Sequence, residues 1–75
     1  MTTFTSNPAA AIIRKRTTRQ LVADFLVTAP MHPSLEVATV RGWLLDEIER
    51  REPDRFFAWL DADAPDEDLP RYILG

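Results

Sequence analysis

The chain has a single histidine, His32, between Met31 and Pro33, and Ser34 follows two residues on. An imidazole beside a hydroxyl is the minimum for nucleophilic hydrolysis. That chemistry also needs a third group to orient the ring and a rigid element to hold the nucleophile. His32 instead lies in the proline-bounded connector Pro30-Met31-His32-Pro33, and Ser34 suits the N-cap of the helix that follows. General acid–base work needs two carboxyls whose surroundings push their pKa values apart. The 12 acidic residues are spread over polar helix faces and an acidic run, so no pair is singled out. That run, Asp61-Ala62-Asp63-Ala64-Pro65-Asp66-Glu67-Asp68, partly matches a calcium loop. It lacks glycine at the sixth position and has Pro65 where the third ligand should stand, so it reads as a solvated acidic loop. The absence of cysteine excludes disulfides, a thiol nucleophile and cysteine-bound zinc or iron–sulfur. With Gly42 and Gly75 the only glycines, no glycine-rich phosphate loop can form. No catalytic residue, metal ligand set or cofactor is expected. The chain reads as non-enzymatic, with no small-molecule substrate.

Two other residue groups point to binding. Arg14, Lys15, Arg16 and Arg19 lie in a stretch, residues 1–20, that holds no acid. A basic arm of this kind contacts phosphates, which makes a small nucleic-acid-binding regulator the alternative reading. Against it stand a connector longer than a helix-turn-helix turn, the acids Asp46, Glu47 and Glu49 on the would-be recognition helix, and a net charge of −3. The second group is aromatic. Trp43 falls ~100° or more from the centre of its helix's apolar stripe. Phe56, Phe57 and Trp59 nearly encircle a short helix. Arg41 falls inside an apolar stripe, where a guanidinium needs an acidic partner or must snorkel outward. Trp43, Phe56, Phe57, Trp59 and Arg41 are therefore the candidate protein-interface residues, because so short a chain carries more bulky rings than its core is expected to enclose.

The elements that would position these residues follow from local signals. Asn7-Pro8 can start a helix over residues 8–16. Thr17 and Gln20 have capping-box spacing, and Leu21, Val22, Phe25, Leu26 and Ala29 form one stripe, which predicts a helix over 18–29 that Pro30 ends. Ser34 caps a second helix over 35–51, whose stripe is Val37, Val40, Leu44 and Ile48, flanked by Ala38 and Leu45. Glu47 and Arg51 form an acid-then-base pair four residues apart. Pro53 ends that helix and opens a third over 53–62. The segment Leu69-Pro70-Arg71-Tyr72-Ile73-Leu74 is an apolar tail with room for one helical turn.

The segment Thr39-Val40-Arg41-Gly42-Trp43-Leu44-Leu45-Asp46-Glu47, with Ile48-Glu49-Arg50-Arg51, the later Phe57-Ala58-Trp59-Leu60-Asp61 and the preceding Ala29-Pro30-Met31-His32-Pro33, resembles small uncharacterised helical proteins of actinobacteria and their phages. The resemblance covers residues 18–72. It implies a cytoplasmic, mobile-element setting and brings no activity or site residue with it.

A chain of 75 residues buries only about 60% of the surface its unfolded form exposes, and such a core supplies roughly 3–5 kcal/mol net. The fold expected is all-α, a small bundle of three main helices with a sharp corner between the second and third and further short helices at the ends. Residues 1–16 read as a basic N-terminal arm, flexible or helical in part. Residues 17–75 read as a single helical domain with an acidic C-terminal loop and an apolar tail. The basic cluster follows the apolar run Ala9–Ile13, the reverse of a signal peptide, and no run approaches the ~20 residues of a membrane span, so a cytoplasmic location without membrane contact is expected. The function expected is a non-catalytic interaction module that self-associates as a homo-oligomer, binds a cellular protein, or does both through an aromatic patch.

Overall fold

The computed structural model describes residues 8–75, which form five α-helices, α1 (Pro8–Lys15), α2 (Thr18–Thr28), α3 (Leu35–Arg51), α4 (Pro53–Asp61) and α5 (Leu69–Ile73), with a 3-10 turn at Asp66–Asp68. The fold is all-α, and no strand occurs among the described residues. The Thr- and Ser-rich start of the expected basic arm, residues 1–7, lies outside the described residues. The rest of that arm is α1, which packs on α3 and buries Ile13 in the common core.

Local chemistry sets the helix ends. The Thr17 hydroxyl accepts from the Gln20 amide at 3.1 Å and the Gln20 side chain accepts from the Thr17 amide at 2.9 Å, so the capping box is complete. The Ser34 hydroxyl accepts from the Val37 amide at 3.1 Å and starts α3. Glu52 alone separates α3 from α4, and Pro53 supplies the preset φ of the new first turn. α4 ends without a glycine. Asp63 takes the left-handed conformation, φ 51°, and its amide donates to the Leu60 carbonyl while the Ala64 amide donates to that of Trp59. This is the Schellman pattern, with Asp in the position glycine usually fills; Asp bears that conformation better than most side chains.

The core joins Leu21, Val22 and Phe25 of α2, Leu44 and Ile48 of α3, Phe56 and Trp59 of α4, and Leu69 and Ile73 of α5. Phe25 is its hub. The Trp59 ring meets it edge-on, centroids 6.2 Å apart at 89°, and the Trp59 indole N–H donates to the Pro65 carbonyl at 3.0 Å. The α3 stripe departs from its sequence reading. Leu44 and Ile48 are buried, but Val37 is only half-buried, and Val40 and Ala38 are exposed. Among the described residues, the core elements reach only the later turns of α3, and its first turns project past them. Gly42 lies on open surface, where an added Cβ would meet nothing within 4 Å, so no close backbone approach explains it.

Candidate functional site

Three of the five aromatic and arginine candidates have duties inside the chain. Phe56 and Trp59 are buried core residues, not surface anchors as their sequence suggested. Their short helix has aromatics on nearly every side, and α2 and α5 cover the face that carries these two. Arg41 finds the acidic partner its position demanded. Its guanidinium donates to Asp66 Oδ2 at 2.9 Å and to the Thr28 hydroxyl at 2.7 Å, and lies 4.3 Å from the Phe25 ring centroid. Thr28 donates in turn to the Phe25 carbonyl at 2.6 Å. Arg41 thus pins the acidic loop to α2 and serves packing. Phe57 remains 47% exposed, and Trp43 is half-buried against the core.

A second arginine cluster surrounds a carboxylate that sequence reading left on a polar face. Glu47 is 7% exposed. It accepts from Arg50 at 3.0 and 2.6 Å and from Arg51 at 2.7 Å. The Arg50 hydrogen bonds hold its carboxyl at about 2, below the ordinary 4.5; burial opposes the shift, and Arg51 adds to it. Glu47 in turn raises the pKa of Arg50. Arg51 also donates to the Thr18 hydroxyl at 3.2 Å and to the carbonyls of Ile13 at 3.4 Å and Arg14 at 2.9 Å, fastening α3 to the α1–α2 junction. A fully ionised, fully paired carboxylate does not exchange protons near neutral pH, so this cluster is structural.

The basic group is divided. Arg16 forms a two-point ion pair with Asp24, at 2.6 and 3.1 Å. Arg14, Lys15 and Arg19 are exposed and carry no ion pair among the described residues. The acidic loop is divided in the same way. Asp66 pairs with Arg41 and Asp68 with Arg71, and no cluster of three or more potential metal ligands occurs among the described residues. No described helix is long and apolar enough to cross a membrane.

The conspicuous surface feature lies where the first turns of α3 face α1 and α2. Ile12, Val27, Met31, Val40 and Trp43 line an apolar groove of about 510 Å³, with the Arg16–Asp24 pair also on its lining. A second hollow shares Val40 and Trp43 with it and continues to Leu35. Leu35 is 81% exposed, Ile12 61% and Val27 59%. Of the sequence candidates Trp43 lies here, as does Arg16 of the basic group. Ile12, Val27, Met31, Leu35 and Val40 were missed as site residues. A signal was present: Val27 is apolar but off the stripe of Leu21, Val22, Phe25, Leu26 and Ala29.

No family model, no curated protein and no solved structure matches the chain.

Proposed function

We propose that this protein is a non-catalytic interaction module whose docking surface is the groove between α1, α2 and the first turns of α3. The observation that carries this reading is the concentration of exposed large apolar side chains in one place. Ile12, Val27, Met31, Leu35 and Val40 line two hollows joined at Val40 and Trp43. Scattered exposed apolar residues are ordinary, whereas a contiguous patch of them marks an interaction site. Trp43 supplies the rigid aromatic anchor common at such surfaces. The cytoplasmic setting and the mobile-element origin belong to the same proposal, as does a bundle of the three longer helices with its corner at Glu52. The nucleic-acid reading is weaker than the sequence alone made it, because Asp24 neutralises Arg16.

Val27→Asp tests the groove without disturbing the core, since Val27 is exposed. The variant should keep the wild-type circular dichroism spectrum and urea midpoint. In affinity capture from cells followed by quantitative mass spectrometry, the proteins retained by the wild type, including further copies of this chain, should fall at least tenfold, equivalent to ~1.4 kcal/mol. Equal recovery on both baits contradicts the proposal.

A further inference from the structure

We infer that the groove is built to receive the outer face of α4 from a second copy of this chain, so that the molecule associates head to tail. The inference rests on the docking role proposed for the groove and names its occupant. Seven large hydrophobic residues are exposed among the described residues. Five of them line the groove and its extension, and the other two, Phe57 and Leu60, both lie on α4. Phe57 and Leu60 are three residues apart and so adjacent on one helical face, 47% and 48% exposed. Asp54 and Asp61 stand three before and four after Phe57, on that same face. An apolar pair at this spacing is how an amphipathic helix occupies a hydrophobic groove.

The charges on the elements that carry the two faces are of opposite sign. Asp54 and Asp61, together with Asp63 just beyond α4, carry no ion pair among the described residues. Arg14 and Lys15 on α1 and Arg19 on α2 likewise carry none; the lining itself holds the Arg16–Asp24 pair and, in the extension, Glu36 without an ion pair among the described residues. Unpaired acids flank the helix that has the apolar knobs, and the unpaired cations stand on α1 and α2, the two helices that wall the groove opposite α3. Opposite potentials of this kind steer encounter and fix register. No residue of α4 lines the groove, so one molecule can offer its groove to one neighbour and its α4 to another. Such a contact is heterologous, and it propagates unless the rotation closes a ring.

Two variants and their mixture test this by light scattering after size exclusion. Val27→Asp disables the groove and leaves α4 intact. Phe57→Gln/Leu60→Gln removes both knobs and leaves the groove intact. Both alter exposed positions, and circular dichroism with urea midpoints checks that they fold. The wild type should rise more than twofold in weight-average mass above the 8.6-kDa protomer between about 10 μM and about 1 mM, and less so in high salt. Each variant alone should stay at the protomer mass. Their equimolar mixture should reach twice that mass and stop, because only one working groove and one working α4 face remain. A wild type that stays monomeric at about 1 mM overturns the inference. So does a knob variant that still associates while the groove variant does not, since that is groove-to-groove contact. In either case the docking role survives if Val27→Asp still loses captured protein, and falls if it does not.

Discussion

Glu47→Gln is expected to remove about 2–3 kcal/mol of stability at pH 7, most of what a domain of this size possesses. The substitution keeps the shape of the side chain but removes the charge that Arg50 and Arg51 surround. Arg51 is the more costly to abandon, because its side chain is only 16% exposed and is held among the Ile13 and Arg14 carbonyls. The pH dependence has a definite sign. The carboxyl lies at about 2 in the folded chain and near 4.5 when unfolded, so its contribution is complete above about pH 5 and is lost as pH falls toward 2. The full shift corresponds to about 3 kcal/mol, an upper bound that solvent around the exposed Arg50 reduces. More than half of it should be gone by about pH 3. Urea melts at pH 7 and pH 3 check this directly. The gap between wild type and variant should be large at pH 7 and shrink by more than half at pH 3. Midpoints that coincide at pH 7 would show that the cluster contributes nothing net.

Phe25→Ala should cost about 3–5 kcal/mol, enough to abolish cooperative unfolding at room temperature. The ring is fully buried at the centre of the core. It supports the edge-on contact with Trp59 and lies under the Arg41 guanidinium. Removing it opens a cavity that α2, α4 and α5 share. It also takes away the apolar surface beneath the Arg41–Asp66 pair, which holds the acidic loop. Phe25→Leu keeps most of the volume and loses only the ring-specific terms, each about 0.5–2 kcal/mol, so it should fold with a lowered urea midpoint. Near-UV circular dichroism and urea melts separate the two outcomes. A Phe25→Ala protein that melts cooperatively near the wild-type midpoint would mean that Phe25 is not the hub.

The parts of this molecule legible from sequence are those with local causes. Thr17 with Gln20, Ser34 and Pro53 each act within one helical turn, and the helices they start lie where the spacing put them. The burial of Glu47 was not legible. An acid three and four residues before arginines reads equally well as an exposed pair; what closes over it is α1, fastened by an arginine 37 residues further along the chain. The same holds for α4. Aromatics on nearly all sides of a short helix do not reveal which of them turn inward; Phe25 and α5 choose Phe56 and Trp59 and leave Phe57 outside. Arg41 was half legible: its need for an acid could be read, but not that Asp66, 25 residues on, would meet it. The groove escaped because Ile12 and Val27 lie off the stripes, Met31 lies in the connector, and Val40, read as a core-facing stripe residue, is left exposed.

The most direct test of the docking role places a photo-crosslinking amino acid at one position at a time in the full chain, in living cells. At Val27, inside the groove, the account predicts discrete adducts at least tenfold more abundant than at Ala23, an exposed α2 position outside the groove. Adducts equally weak at both positions, or stronger at Ala23, would contradict it.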